Sequence, residues 1–450
     1  MTKKLFGTDG IRGIANEYPM TAEVALHVGQ AIAYLSKRKG HSPRILLGKD
    51  TRLSGDMFEE AIIAGICSMG VDAISAGIIP TPAIAFLTRS MRADAGIMIS
   101  ASHNPMQDNG IKFFNSDGFK LSDEKENQIE ELVSAGNIYK LHPTSKELGK
   151  LSRMNDAMGR YVDFVKQTFP RELNPEGIKI VLDCANGATY RVAPAVFTEL
   201  GIKVTTLFDQ PDGKNINLNC GSQHADALAQ EVLQQKADAG FAFDGDGDRV
   251  IAVDDKGNIL TGDRLLAICS AILKKEGKLK NNLVVRTVMS NLGLSVAFQK
   301  LGIDSVFTQV GDRFVLEEML AKGAIIGGED SGHIIFLQHH TTGDGLITAL
   351  QVLAAMKRES KSLSKLASIM TVFPQLLINI DVKKKPKIES VPEIMAAIKQ
   401  AEEKLGDKGR VLVRYSGTQN MCRVMVEGPT GKETEIYCRQ IADVVKKILA

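Results

Sequence analysis

The sequence predicts an α/β protein: three related mixed-sheet α/β domains in series, followed by a smaller α+β domain at the C-terminus. Three observations predict it. Three stretches repeat one grammar, in which a β-branched run, a Gly/Asn/Asp-containing loop and a helical stretch lead to Gly-Ile or Gly-Val and a further strand. That grammar stops after about residue 371. At 450 residues the chain also exceeds what one hydrophobic core normally organises.

The first repeat runs from Arg44-Ile45-Leu46-Leu47 through Ala61 to Met69 and then Gly70-Val71. The second runs from Lys179-Ile180-Val181-Leu182 through Ala193 to Leu200 and Gly201-Ile202, and the third from Leu283-Val284-Val285 through Leu292 to Leu301 and Gly302-Ile303. Strand, helix and strand at this spacing form a βαβ unit, which builds parallel or mixed sheets covered by helices. Weak self-similarity at this length marks three related domains. Residues 137–151, rich in Lys, Pro and Ser, read as a linker before a helix-like stretch at 156–169. In the last part, 376–382 reads as a strand, Lys383-Lys384-Lys385-Pro386-Lys387 as a solvated connector and 394–405 as an amphipathic helix. Strands at 411–413 and 422–426 and a helix from Glu433 complete it. The expected domains are 1–150, 151–255, 256–370 and 371–450.

With 55 basic and 53 acidic residues the net charge is +2, which provides no broad field for a nucleic acid or an anionic membrane. The expected partner is a small molecule. Cys67, Cys184, Cys220, Cys269, Cys422 and Cys438 are scattered without a CxxC pair, the pattern of reduced thiols in the cytosol. The start, Met1-Thr2-Lys3-Lys4-Leu5, has no apolar stretch, and no later segment approaches 18 uninterrupted apolar residues. A soluble, cytoplasmic protein is expected.

Four polar segments carry candidate chemistry. Ser102 lies in Ile99-Ser100-Ala101-Ser102-His103-Asn104-Pro105, after the apolar run 95–99 and before Asn109-Gly110-Ile111-Lys112. Its hydroxyl is a candidate phosphoryl carrier in a loop that Pro105 should keep extended, and an ordinary strand-ending turn explains the same residues. Asp244-Gly245-Asp246-Gly247-Asp248-Arg249 places three carboxylates at alternate positions, with glycines that let them converge on one hard cation. An EF-hand is excluded, because Arg249 stands where its sixth position needs glycine and Asp255 where its twelfth needs glutamate. Gly328-Glu329-Asp330-Ser331-Gly332-His333 sits between two apolar runs. It suits sugar hydroxyls, with Glu329 and Ser331 as partners and His333 as a proton carrier, and equally a hairpin turn. Arg414-Tyr415-Ser416-Gly417-Thr418 with Arg423 reads as an anion grip. Phe6-Gly7-Thr8-Asp9-Gly10-Ile11-Arg12-Gly13 and Gly48-Lys49-Asp50-Thr51-Arg52 add cations that a phosphorylated serine would need nearby. GxxxxGK[ST], GxSxG and HExxH are missing from the sequence.

In this order and at these separations, the motifs ASHNP, DGDGDR, GEDSGH and RYSGT resemble the α-D-phosphohexomutase family across essentially the whole chain. FGTDGIRG, NLNCGSQH at 217–224, VMSNLGL at 288–294, VGDRFV at 310–315 and TTGDG at 341–345 look most like its bacterial subgroup acting on amino-sugar phosphates. The resemblance implies four domains around a central cleft, each giving one loop. It implies interconversion of glucosamine 6-phosphate and glucosamine 1-phosphate, feeding UDP-N-acetylglucosamine and cell-wall synthesis. Ser102 would carry the phosphoryl group, and Asp244, Asp246 and Asp248 would hold Mg²⁺ against it. Arg12, Lys112 and Arg249 would supply charge, and His103, Lys112 and His333 would stand in the catalytic set. Glu329 and Ser331 would read the sugar, while Arg414, Ser416, Gly417, Thr418 and Arg423 would hold the phosphate that is not reacting. The implied cycle passes through a 1,6-bisphosphate that turns around between half-reactions, in a monomer or homodimer with no nucleic-acid or membrane partner.

Two departures stand out. Gly417-Thr418-Gln419-Asn420 replaces the family's usual Gly-Thr-Glu-Pro, and Asp330 stands where a neutral amide is commoner, which could favour an amino sugar's cation. Phosphomannomutase or phosphoglucomutase activity on neutral hexose phosphates, and a non-catalytic phosphosugar-binding protein, are the alternatives.

Overall fold

A computed structural model describes residues 5–7, 9–38, 40–416 and 420–450. The described residues divide into two compact units, Met1–Val288 with Asp304–Ser368, and Met289–Ile303 with Ile369–Ala450.

Within the first unit, each β-branched run pairs in parallel with the strand its crossover helix leads to, as a helical crossover connection permits. Arg44–Lys49 lies beside Asp72–Ile78, Lys179–Asp183 beside Lys203–Leu207, and Leu283–Thr287 beside Asp304–Thr308. Each parallel pair is then extended by an antiparallel hairpin. The first sheet runs in the order Ile11–Ile14, Asp108–Asn115, Ala95–Ile99, Arg44–Lys49, Asp72–Ile78, Leu151–Arg153. The second runs Ile259–Leu260, Val250–Asp254, Ala239–Phe243, Lys179–Asp183, Lys203–Leu207, and the third Asp304–Thr308, Leu283–Thr287, Ile326–Gly328, Ile334–Phe336. The strands Ala95–Ile99 and Ala239–Phe243 are buried at every residue, which explains their uninterrupted apolar character.

The candidate motifs sit at the hairpin tips. Ile99 pairs with Ile111, Phe243 with Val250 and Gly328 with Ile334, so the serine, aspartate and Glu329–His333 loops each close an antiparallel pair. In the second unit, Tyr415 pairs with Cys422 around the loop 416–420. That unit is a three-stranded antiparallel sheet, Gln375–Asp381, Met421–Glu427, Arg410–Tyr415. The helices Pro392–Leu405 and Gly431–Leu449 contribute Ile394, Cys438, Ile441 and Val445 to its core with Val424 and Val426.

Two expectations need correction. Residues 137–151 are not a free connector: they form two short 3₁₀ turns, Gly149 N–H donates to Cys67 O, and Leu151–Arg153 becomes a parallel edge strand on Asp72–Ile78. Three exposed residues leave too short an apolar pattern to announce a strand. The serine loop is not extended either. Asn104 N–H bonds Ala101 O and Asp108 N–H bonds Pro105 O, giving two consecutive turns. All six cysteines are free thiols, and among the described residues no helix is long and apolar enough to cross a membrane.

Close helix packing in the first sheet layer depends on two glycines. A Cβ on Gly29 would stand 2.4 Å from Ile62 O, and one on Gly65 2.2 Å from Leu26 O, so the helices Ala22–Ser36 and Gly55–Ser68 meet backbone to backbone. Gly65→Ala should therefore destabilise by about 1–3 kcal/mol through overpacking. Gly159→Ala, in the helix Ala157–Lys166 with open space around its Cβ, should stabilise by up to ~1 kcal/mol. Chemical denaturation of the two variants should move in opposite directions from the parent.

Candidate active site

Ser102 is 1% exposed and has φ +55°, in the left-handed region. Its Oγ donates to Asp244 Oδ2 at 2.5 Å, and His103 Nδ1 lies 3.3 Å from the same oxygen. Behind it, Ser102 N–H donates to Ser100 Oγ (2.9 Å), whose own hydroxyl donates to the buried Asp50 (2.6 Å).

The metal loop brings oxygens of Asp244, Asp246 and Asp248 within 4.8 Å of one another, all three residues buried. Unit charges about 4 Å apart repel by roughly 4 kcal/mol even at an effective dielectric of about 20. Something must neutralise them. Lys112 Nζ, itself buried, lies 2.8 Å from Asp246 Oδ2 and 3.2 Å from Asp248 Oδ2. Burial disfavours its charge, but these carboxylates and Asp9 outweigh burial and hold the ammonium well above the usual lysine range. Burial and its two like neighbours push Asp244 well up, whereas at Asp248 the upward push of burial is overcome by Lys112, His333 and Arg249, which hold it well down. Asp246 Oδ2 also accepts from Thr81 Oγ1 at 2.5 Å. Asp246 Oδ1 and Asp248 Oδ1 are buried without a hydrogen-bond partner among the described residues. Converging buried carboxylates with two unused oxygens are what a hard divalent cation completes. The loop is a candidate metal site.

His333, buried on the third hairpin, reaches the same cluster. Its Nδ1 lies 3.8 Å from Asp248 Oδ1 and its Nε2 3.6 Å from Asp312 Oδ2, and Gly343 N–H donates to Nε2 at 3.2 Å. Burial lowers its proton affinity, but Asp248 and Asp312 more than compensate and the pKa is raised. His103 behaves oppositely: burial, then Arg249 and Arg12, push it down to about 4, so its imidazole is neutral. Arg12 pairs with Asp9 at 2.5 Å while its Nε has no hydrogen-bond partner among the described residues, and Arg249 N–H donates to Asp244 Oδ1 at 3.2 Å. Glu329 is 8% exposed, accepts from Gly311 N–H (2.9 Å) and is raised by burial. Ser331 Oγ is buried without a hydrogen-bond partner among the described residues.

In the second unit, Arg414 and Arg423 face each other directly across the hairpin. Two like charges at one register position are unfavourable unless an anion joins them. Burial, and then Arg423, lower Arg414's hold on its proton, and Arg423 Nε is buried without a hydrogen-bond partner among the described residues. Ser416 is buried, with N–H bonded to Met421 O at 2.9 Å. Gly417, Thr418 and Gln419 lie outside the described residues.

Two sequence expectations change, those for Arg52 and Lys49. Arg52 is no free phosphate partner: its guanidinium is spent on Asp50 and on the carbonyls of Ser102, Asn104, Pro105 and Asp108. Lys49 is held by Asp56 and Glu59. Asp330 turns to the start of the helix Gly262–Lys275, accepting from Asp263 N–H at 3.4 Å, where a helix N-terminus favours a carboxylate. Sequence reasoning missed Thr81 and the network in which Lys120 joins Asp9 to Asp312. The glycines around Asp9 and Asp312 were the available signal.

A buried serine hydroxyl bonded to a triad of converging carboxylates, with lysine and histidine beside it, is the arrangement of a phosphoryl-transfer protein. The chain matches the Phosphoglucomutase/phosphomannomutase family in all four of its parts: alpha/beta/alpha domain I over residues 3–140, domain II over 159–257, domain III over 261–373 and the C-terminal domain over 377–444. It belongs to that family. It is 70% identical over 446 residues to the phosphoglucosamine mutase of Syntrophus aciditrophicus (strain SB), covering 99% of each chain. It is 60% identical over 442 residues to that of Syntrophobacter fumaroxidans, covering 98% of each. A crystal structure of a phosphoglucomutase/phosphomannomutase family protein from Burkholderia thailandensis shares its fold, with TM-score 0.81 at 22% identity over 99% of this chain and 98% of the other.

Asp244→Asn mimics the protonated carboxyl that burial favours. In chelator its thermal midpoint should stay within about 3 °C of the parent. The stabilisation of about 2.7 kcal/mol that a bound cation gives the parent at a hundredfold excess over Kd should disappear. Thermal scans with and without added divalent cation read both.

Proposed function

We propose that this chain interconverts glucosamine 6-phosphate and glucosamine 1-phosphate, with Ser102 carrying the phosphoryl group between them. The observation that carries the chemistry is the contact of Ser102 Oγ with Asp244 Oδ2 in the buried triad. The amino-sugar choice is supported by relatives of 70% and 60% identity that bear the name phosphoglucosamine mutase.

Asp244, Asp246 and Asp248 would hold Mg²⁺, whose preference for hard oxygen ligands suits this donor set. Bound there, Mg²⁺ would draw charge from the transferring phosphoryl group. The chain's residues do the rest. In the first half-reaction the Ser102 Oγ–P bond breaks and a bond from phosphorus to O1 of glucosamine 6-phosphate forms, the O1 proton passing to an enzyme base while Oγ takes a proton from an enzyme acid. In the second, the O6–P bond breaks, Ser102 Oγ gives up its proton and regains the phosphoryl group, and O6 takes a proton. No nucleotide or water is consumed. Arg12, Lys112 and Arg249 neutralise charge on the phosphoryl group, while His333 is assigned the role of base, Lys112, held as an ammonium by its aspartates, can only give a proton, and neutral His103 stands beside Oγ. Glu329 and Ser331 read the sugar hydroxyls. Arg414, Ser416, Gly417, Thr418 and Arg423 take the phosphate that is not reacting, the arginines by bidentate contacts. The substrate is a small phosphosugar, and the setting is the cytoplasm, upstream of UDP-N-acetylglucosamine and cell-wall synthesis. Monomer and homodimer are both compatible with this site.

Purified protein should carry one phosphoryl group on Ser102 by intact mass, and phosphatase should remove both the group and the activity until a sugar 1,6-bisphosphate restores them. Ser102→Ala should lose at least ~10³-fold in kcat. Turnover of glucosamine phosphates should exceed that of glucose and mannose phosphates; a preference for a neutral hexose would move the substrate to the phosphomannomutase or phosphoglucomutase reading.

A further inference from the structure

The left-handed backbone at Ser102 is disfavoured for a non-glycine residue, so its surroundings must hold it. Two side chains do so. Arg52, 2% exposed, donates Nη2 to Ser102 O (3.0 Å) and Asn104 O (2.8 Å) and Nη1 to Asp108 O (3.0 Å), while Asp50 Oδ2 fixes its Nε at 2.9 Å. Asn217 approaches from the loop that follows the strand Lys203–Leu207 of the second sheet. Its Nδ2 donates to the same two carbonyls, Ser102 O at 2.9 Å and Asn104 O at 3.0 Å.

Asn217 is itself left-handed, with φ +57° and its N–H bonded to Ala185 O at 2.9 Å. The metal loop leaves room for the amide. A Cβ on Gly245 would stand 2.6 Å from Ser102 O and 2.8 Å from Asn217 Nδ2. Serine carbonyl, amide and metal loop therefore meet at one point, where Gly245 carries no side chain.

We infer that Asn217, together with Arg52, is a positioning residue that clamps the carbonyl face of the Ser102 loop and fixes the distance of Oγ from the aspartate loop. Neither side chain touches the reacting atoms. Arg52 ties the loop to its own sheet, and Asn217 ties it to the sheet that carries Asp244, Asp246 and Asp248. Misplacement of a reacting group by about 1 Å can cost ~10²-fold in rate, so a clamp acting through distance should be read in kcat.

The inference rests on the proposed mutase reaction, and the test separates the two. Asn217→Gly keeps a left-handed backbone accessible and removes the amide; Asn217→Asp keeps the shape and turns the donor into an acceptor. Both should lower kcat about 10–100-fold, with KM and Mg²⁺ affinity by calorimetry within about threefold. Both should speed hydrogen exchange in residues 102–108 while leaving the helix cores unchanged. A parent without turnover would defeat the mutase reading alone, and the exchange rates would still decide the clamp. Exchange in 102–108 at parental rates, kcat within about twofold of the parent, or a kcat loss matching the unfolded fraction would overturn it.

Discussion

Three carboxylates share one buried pocket beside a serine hydroxyl, and their mutual repulsion is the constraint around which the first unit is arranged. Protein stability totals only about 5–15 kcal/mol, so three uncompensated charges at this spacing could not be tolerated. The chain answers with several devices at once. Lys112 places an ammonium between Asp246 and Asp248, burial and its like neighbours push the proton affinity of Asp244 well up, and Thr81 donates to Asp246. Each weakens the repulsion, yet two carboxylate oxygens are left without hydrogen-bond partners among the described residues. Such a site is expensive to build and gains from a divalent ion. His333 and Asp312 extend the array, so the same charges that bind a cation also set the proton affinity of the histidine.

Every motif loop closes an antiparallel pair of strands. That unites two readings which seemed to compete at the level of residues. A turn explanation for ASHNP or GEDSGH is locally correct, because Ile99 pairs with Ile111 and Gly328 with Ile334. The chemistry is placed at those turns because a hairpin tip frees side chains from the ladder while its strands hold the base of the loop rigid. Repeating a βαβ pair followed by a hairpin gives each sheet one such tip. Function then depends on which residues occupy it.

How much of this was legible follows from the range of the interactions. The βαβ repeats, the buried strands and the DGDGD triad are local in sequence, so periodicity and spacing reported them correctly. The contact of Asp330 with a helix start 67 positions away has no local signature in the sequence. Arg52 and Lys49 looked like free cations for a different reason: their carboxylate partners Asp50, Asp56 and Glu59 are near in sequence, but a list of charges does not reveal which of them pair. The Lys120 bridge between Asp9 and Asp312 spans separations of 111 and 192 residues and has no signature beyond glycine-flanked aspartates. Proline at 105 suggested an extended loop, but two turn hydrogen bonds and the left-handed Ser102 prevailed.

In the proposed mutase the phosphoryl group on Ser102 and the aspartate-bound cation share one site. Phosphorus NMR of the phosphorylated protein during titration with paramagnetic Mn²⁺ reads their proximity. The phosphoserine resonance should broaden beyond detection as the first equivalent of Mn²⁺ binds, and stay sharp in Asp246→Asn at the same concentration. A resonance that remains sharp in the parent with Mn²⁺ bound would contradict the shared site.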